Sequence, residues 1–98
     1  MKKEQVLLKM KDYTSFQQAV WRACMRIPAG QTRSYKWIAE QIGRPGAARA
    51  VGSALGKNPF APTVPCHRVI KSDGTLGGFS APGGLKAKLD LLKKEKAL

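Results

Sequence analysis

Apolar residues recur at the spacing of an α-helix in the first half of the chain. The first such segment is predicted to begin at Ser15, because Ser15 and Gln18 have the spacing of a capping box. Pro28 and Gly30 end the segment, since neither continues a helix well. The apolar positions form one stripe along the predicted helix, and they are Phe16, Ala19, Val20, Ala23 and Ile27.

Two shorter helices are predicted next, at about 34–42 and 47–55, with a glycine-containing turn at 43–46 between them. Ser34 is a suitable N-cap for the first of them. Such a pair is typical of a helix-turn-helix, whose second helix usually contacts DNA. The inward positions of the pair are predicted to be Trp37, Ile38, Ile42, Ala48, Val51 and Leu55.

Arg49 differs from its neighbours in the second helix, which are mostly alanine, glycine and serine. A large charge that lies off the apolar stripe favours a binding role for Arg49. The small residues are compatible with two structures, either close approach of the helix backbone to DNA or a tightly packed core helix. The sequence alone leaves both alternatives open.

The second half of the chain is richer in proline and glycine. Three prolines within 57–65 exclude a helix there and predict a rigid extended loop. The segment 66–71 is predicted to be a strand, and the Asp-Gly pair at 73–74 is a hairpin turn that leads to a return strand at 75–76. A final helix is predicted over 85–95. Its inward positions are Leu85, Leu89 and Leu92.

Together these elements predict a mainly α-helical fold with a small β-hairpin, that is, a winged-helix-like DNA-binding domain that contains a helix-turn-helix. The length of 98 residues fits one domain, 1–98. Residues 1–13 are predicted to be a basic N-terminal arm, with a short strand or an ordered segment around Val6, Leu7 and Leu8.

The charge balance indicates a polyanionic partner. The chain has 18 Lys and Arg residues against 6 Asp and Glu, a formal net charge of +12. An excess of this size is most often found in proteins that bind nucleic acid. The lysines near the two ends are also compatible with an ordinary solvated surface, and they are Lys2, Lys3, Lys9, Lys11, Lys86, Lys88, Lys93, Lys94 and Lys96.

Composition also argues against several classes of protein. No apolar run approaches the length of a membrane span, and the N-terminus lacks the apolar core of a secretory signal. Two cysteines without an export signal favour reduced thiols in an intracellular protein, cytoplasmic or nuclear. Two cysteines and one histidine without CxxC spacing do not match a zinc site. We therefore expect no metal, no other cofactor and a monomeric state.

Cys66 has a more reactive setting than Cys24, which lies near the apolar side of the first helix and is predicted to be inert. Cys66 follows the proline-rich loop and precedes His67 and Arg68. A base or a neighbouring cation favours the nucleophilic thiolate. Adjacent residues of a strand face opposite sides, so His67 is expected to act through a water or after a local bend.

The segment 65–69, Pro-Cys-His-Arg-Val, resembles the active-site motif of the O6-alkylguanine-DNA alkyltransferases, or methylated-DNA–protein-cysteine methyltransferases. The resemblance extends from Phe16 to Glu95, and the order of the motifs makes it specific. The other matching segments are Ser34-Tyr35, Ala48-Arg49-Ala50-Val51-Gly52, Asn58-Pro59, Gly77-Gly78-Phe79-Ser80 and Gly84-Leu85.

For the DNA side, the resemblance implies a helix-turn-helix that binds the minor groove of double-stranded DNA containing O6-alkylguanine. It implies that Arg49 enters the base stack in place of the extruded guanine. Tyr35 would contact a phosphate beside the flipped nucleotide and help to protonate the departing guanine. The other residues implied at the DNA surface are Ser34, Ala48, Ala50 and Gly52.

For the chemistry, the resemblance implies that Cys66 accepts the alkyl group irreversibly, so that each molecule reacts once. His67 would be the base, joined to Cys66 by water and oriented by Glu95, and Asn58 would brace the turn that presents the cysteine. The backbone carbonyls of Cys66 and Val69 would bind the guanine amino group. The substrate pocket would be lined by Leu55, Val69, Phe79 and Ser80.

Three features depart from the family pattern. Most full-length members carry an additional N-terminal domain, where this sequence has the short arm. Position 79 is Phe where many members have Tyr, which removes a hydroxyl but keeps an aromatic wall. Glu95 lies three residues from the end of the sequence, where a helix tends to fray.

Two other functions are considered beside alkyl transfer. A non-catalytic sensor of alkylated DNA is one, because the alkyltransferase-like proteins resemble this domain but have another residue in place of the cysteine. A winged-helix regulator is the other, and it explains the charge and the helix-turn-helix. Cys66 argues against the first, and the regulator gives no reason for the loop that carries Cys66 and His67.

Overall fold

The computed structural model of the protein describes residues 2–76 and 84–97. A mainly helical fold was predicted, and within these residues the structure confirms it. The elements in chain order are α1 (Lys3–Lys9), α2 (Ser15–Met25), β1 (Arg33–Ser34), α3 (Tyr35–Gln41), α4 (Ala48–Gly56), β2 (Val69–Ile70) and α5 (Gly84–Lys94), with 3₁₀ turns at Met10–Asp12 and Cys66–Arg68.

The N-terminal segment is helical rather than the short strand or arm that the sequence predicts. The backbone N–H of Lys2 donates to the side chain of Gln5 at 3.1 Å, which satisfies a donor at the start of α1. Val6 and Met10 lie one helical turn apart, and both are fully buried. Their burial against the core stabilises a helix that its lysine-rich composition alone did not indicate.

The start of α2 differs by one residue from the predicted cap. Thr14 is the N-cap, and its hydroxyl accepts from the backbone N–H of Gln17 at 3.1 Å. The side chain of Gln17 accepts in return from the backbone N–H of Thr14 at 3.2 Å. The predicted pair of Ser15 and Gln18 does not form the box, because Gln18 donates instead to the carbonyl of Tyr13 at 2.8 Å.

The helix-turn-helix forms as predicted from α3 and α4, both packed on α2. The hydroxyl of Ser34 caps α3 by accepting from the backbone N–H of Trp37 at 2.9 Å. Gly43 has a φ of +75°, a left-handed conformation that favours glycine after a helix end. Behind the pair, the indole of Trp21 is fully buried and donates to the carbonyl of Ala54 at 2.9 Å.

The small sheet is parallel, not the predicted hairpin. Strands β1 and β2 pair in parallel, with Arg33 opposite Val69 and Ser34 opposite Ile70. The predicted strand is shorter than expected because the first three residues of 66–71 form a 3₁₀ turn. The Asp-Gly turn does form, and the N–H of Lys71 donates to the carbonyl of Thr75 at 2.9 Å, but 75–76 is not a strand.

The last helix begins at Gly84, and its buried face differs from the predicted one. Leu92 is fully buried as predicted, but Leu85 is 53% exposed. Lys88 is fully buried one turn before Leu92, where the sequence indicated a surface lysine. The described part of α5 therefore contributes a charge to the interior of the domain.

Candidate active site around Cys66

The turn that carries Cys66 is held by the proline-rich loop before it. The amide group of Asn58 donates to the carbonyl of Val64 at 2.9 Å, and its oxygen accepts from the N–H of Phe60 at 2.8 Å. The N–H of Cys66 donates to the carbonyl of Val64 at 2.8 Å. These bonds tie Asn58 to the loop before Cys66 and hold the backbone under the thiol, and the role of Asn58 in alkyl transfer stays a prediction.

The Cys66 side chain lies at the edge of the core, 8% exposed. Burial raises the pKa of its thiol above the ordinary value, because a thiolate is poorly solvated there. The hydrogen bond with Asn58 and the charge of Lys88 act in the opposite direction but are weaker. The thiol is therefore protonated at neutral pH, and its use as a nucleophile requires a base.

His67 is the neighbouring base, and it lies deeper than Cys66, with 1% of the residue exposed. Its Nε2 lies 2.9 Å from Oε1 of Glu95. Burial lowers the pKa of His67 in spite of the nearby carboxylate, so the ring is neutral at pH 7. Because a carboxylate only accepts, we assign the ring proton to Nε2, which leaves the Nδ1 lone pair free to accept a proton.

Glu95 is held by a second partner that the sequence analysis missed. The guanidinium of Arg68 donates to both carboxylate oxygens of Glu95, and its Nε bond is 2.9 Å. Arg68 also donates to the carbonyl of Ile27 at 2.8 Å. The bonds from Arg68, with a smaller effect of His67, lower the pKa of Glu95 to about 2. Glu95 is thus fixed just beyond α5 and is ionised at neutral pH.

Helix α4 presents its outer face to solvent. Arg49 and Ala50 are exposed, whereas Val51 and Ala54 are buried. Ala54 therefore packs in the core, whereas Ala50 is exposed on the outer face, where close approach to DNA stays a prediction. A Cβ atom added at Gly52 would meet, among the described residues, the ring of Tyr35 at an ordinary contact distance of 3.9 Å.

The other predicted site residues fall into three groups. Tyr35 is half-buried at the start of α3, and Ala48 is half-buried at the start of α4. Leu55 and Val69 belong to the hydrophobic core, and Val69 is fully buried. The predicted pocket residues Phe79 and Ser80 lie outside the described residues.

Lys88 is the second site residue that the sequence analysis missed. Its Nζ donates to the carbonyl of Val69 at 2.7 Å and to the carbonyl of Leu76. The same atom lies 5.8 Å from the centre of the Tyr35 ring. Burial lowers the pKa of Lys88 to about 8. The available signal was its position four residues before Leu92 on the apolar stripe of α5.

Two structural findings bear on the predicted exclusions. In the described ranges, no three His, Cys, Asp or Glu residues lie close enough to hold a metal ion. In the same part of the chain, no helix is long and apolar enough to cross a bilayer.

The fold and this geometry define a class, a helix-turn-helix domain with a buried thiol beside a histidine–carboxylate pair. A family model for the DNA-binding domain of 6-O-methylguanine DNA methyltransferase matches residues 15–97, and the chain belongs to this family. The family assignment that the motif at Cys66 suggested is confirmed. Residues 3–12, which contain α1, precede the matched region.

Curated relatives support the same family. The methylated-DNA–protein-cysteine methyltransferase of Mycobacterium leprae is 60% identical over 83 residues, which are 85% of this chain and 49% of the relative. The protein of the same name from Shigella flexneri is 52% identical over 82 residues, 84% of this chain and 47% of the relative. The chain thus spans about half the length of these relatives.

Solved structures share the fold. The structure of Mycobacterium tuberculosis OGT in complex with DNA is 58% identical, with a TM-score of 0.82 over 87% of this chain and 51% of that one. The structure of S. pombe Atl1 with damaged DNA containing O6-carboxymethylguanine is 36% identical, with a TM-score of 0.73 over 82% of this chain and 74% of that one. Both of these neighbours were solved with DNA bound.

Proposed function

We propose that this protein repairs DNA by transferring the alkyl group of an O6-alkylguanine to Cys66. The observation that carries the proposal is the thiol of Cys66 on a braced turn, next to a neutral His67 whose other nitrogen is bound to ionised Glu95. Membership of the methyltransferase family supports it. Because the proposed substrate is a base in DNA, we propose that the protein acts in the compartment that holds the DNA.

The proposed reaction begins with a proton transfer. Nδ1 of His67 takes the proton of the Cys66 thiol through a water, and Glu95 stabilises the imidazolium that results. The thiolate then attacks the alkyl carbon, a carbon–sulfur bond forms, and the carbon–oxygen bond to guanine breaks. The bonding electrons remain on guanine, which takes a proton from Tyr35. A thioether is a poor leaving group, so each molecule reacts once.

The proposed DNA contact explains the exposed face of α4. A base inside a duplex cannot reach a buried thiol, so the guanine has to leave the stack, at a cost of a few kcal/mol. Arg49 is exposed on α4 and is long enough to fill the space that the base leaves. Ala50 beside it has a small side chain that permits close approach of the DNA. The net charge of +12 attracts the phosphate backbone.

Intact mass after incubation with an oligonucleotide duplex containing O6-methylguanine tests the proposal. We expect a gain of one methyl group that maps to Cys66 and disappears in the variant Cys66→Ser. Cys24→Ser is the matched control and should still react, because Cys24 is fully buried in the core and its pKa is strongly raised by burial.

A second candidate function is the recognition of alkylated DNA without transfer. The likeness to Atl1 over 74% of that chain favours it, and so does the raised pKa of the Cys66 thiol. The same experiment separates the two functions. Tight binding of the methylated duplex with no change of mass would reject transfer and favour the sensor, whereas equal binding of undamaged DNA would reject both.

A further inference from the structure

Lys88 is a fully buried lysine at the centre of the site, and the proposed reaction gives it no task. Its ammonium group is bound to the carbonyls of Val69 and Leu76. Val69 is only three residues from Cys66 in the chain, so the charge is fixed close to the turn that carries the thiol. Burying a cation costs solvation free energy, and a leucine at this position would avoid that cost.

The titratable groups that face Lys88 come from three elements. Cys66 and His67 lie on the 3₁₀ turn, Cys24 lies on α2, and Tyr35 lies on α3 with its ring under the ammonium group. The nearby cation Arg68 is paired with Glu95, and it opposes ionisation of His67 as Lys88 does. Among the described residues, the titratable groups that face the Lys88 ammonium are therefore thiols, a phenol and a neutral ring, beside the two carbonyls that bind it.

We propose that Lys88 is a positioning residue of this site, whose buried ammonium group stabilises the Cys66 thiolate and holds the Val69 carbonyl in place. A cation near a thiolate favours the charged form of the sulfur, and the weak solvation of the interior strengthens that effect. The same charge keeps His67 neutral and able to accept a proton. The inference deepens the proposed function and rests on it for the role of Lys88 in alkyl transfer.

The charge of Lys88 makes the reactivity of the Cys66 thiol depend on pH. Burial lowers the pKa of Lys88 to about 8. Its charge is present below that pH and is lost as the pH rises through about 8. The help that Lys88 gives to the thiolate is therefore strongest at neutral pH and fades in the alkaline range.

The pH profile of Cys66 alkylation by iodoacetamide tests the inference without DNA. The rate is read by peptide mass mapping in the intact protein and in the variants Lys88→Met, Lys88→Arg and Lys86→Met. We expect Lys88→Met to slow alkylation at pH 7 about tenfold, the equivalent of about one pKa unit, and the difference to disappear well above pH 8, where Lys88 is neutral in the intact protein. Lys88→Arg keeps the charge and should restore most of the rate.

Lys86→Met is the matched control, because Lys86 is an exposed lysine two residues earlier on α5. It should leave the alkylation profile unchanged. Thermal unfolding of each variant identifies loss of fold. An unchanged alkylation rate at pH 7 in Lys88→Met, with or without a lower melting temperature, would overturn the inference, because a purely structural lysine would give that result.

A reciprocal measurement covers the case in which Lys88→Met does not fold. Coupling between two groups acts equally in both directions. The NMR titration of the Lys88 side chain should therefore have a higher midpoint in Cys66→Asp, which carries a negative charge at position 66, than in Cys66→Ser. Equal midpoints would overturn the inference. Neither readout involves alkylated DNA, so failure of the proposed function would leave both results unaffected.

Discussion

Glu95 connects two side chains of the site, His67 and Arg68, through its carboxylate. It accepts from His67 and from Arg68, and it follows the last turn of α5. The expectation that the helix end frays near Glu95 stays a prediction, and the bonds from Arg68 to the carboxylate oppose such fraying.

The carboxylate of Glu95 makes the stability of the fold sensitive to acid. Its pKa is lowered from 4.5 to about 2, so its contribution is complete above pH 4.5 and is lost as the pH falls from 4.5 towards 2. We expect the melting temperature to fall through this range. Glu95→Gln should make the melting temperature depend less on pH in this range. An equal dependence in both proteins would contradict the role of Glu95 in acid sensitivity.

Glu95 should also affect the rate of alkyl transfer. Glu95→Gln removes the charge that stabilises the imidazolium of His67 while it keeps a similar shape. We expect transfer from O6-methylguanine to slow about 100-fold, the lower end of a general-base contribution. Single-turnover kinetics at pH 7 measure this effect. Glu40→Gln, an exposed residue on α3, is the control and should react at the normal rate.

At this scale the sequence indicated Cys66 and His67 as the candidate reacting pair, but not the residues that support them. Cys66 and His67 are adjacent, and the motif identified them. Arg68 and Glu95 are 27 positions apart, and their pairing follows from packing of α5 against the 3₁₀ turn, which no local pattern contains. Lys88 was wrongly assigned to the surface, because charge alone is a good guide to exposure except where backbone carbonyls bind the ammonium group.

Among the elements, α4 is the one whose function depends most on a single exposed side chain. Arg49→Ala should slow repair of a methylated duplex about tenfold or more, because part of the cost of base extrusion is no longer offset. The reaction of the Arg49→Ala variant with free O6-benzylguanine should be nearly unchanged, since a free base needs no extrusion. Rates on the two substrates measure this difference, and an equal loss on both would count against the role of Arg49.

Helix α1 should contribute strongly to stability, although it lies before the region that the family model matches. Met10 directly follows α1 and is fully buried, so Met10→Ala is expected to lower the free energy of unfolding by about 2–5 kcal/mol. Leu8→Ala is the control, because Leu8 is 64% exposed. This substitution should change the free energy of unfolding by less than about 0.5 kcal/mol. Chemical denaturation measures both, and equal effects would contradict the packing of α1.

Helix positions were predicted well and strand pairing poorly. The apolar stripe of α2 and the caps and turn of the α3–α4 pair are local signals, so their bounds agree within about two residues. The parallel pairing of β1 with β2 joins segments 36 positions apart, from Arg33 to Val69, and two-residue strands leave no periodic pattern. The Asp-Gly signal correctly predicted a turn, but a turn does not specify how far its strands extend.

For the whole molecule, the net charge of +12 determines how binding should respond to salt. Each phosphate contact releases condensed counterions, so the affinity for duplex DNA should fall steeply as salt increases. Fluorescence anisotropy with an undamaged and a methylated duplex measures both slopes. We expect similar slopes, because the charge contacts phosphates in either case. A flat dependence would exclude the basic surface as a main source of affinity.

The double role of Glu95 has a consequence for how this protein can change over time. A substitution at Glu95 removes the partner of Arg68 and the support of His67 at once, and a substitution of Arg68 releases the carboxylate that His67 needs. These three positions should therefore tolerate replacement only in combination. Functional variants of this domain that differ at these positions should therefore carry at least two substitutions together. The corresponding single mutants should have low fitness.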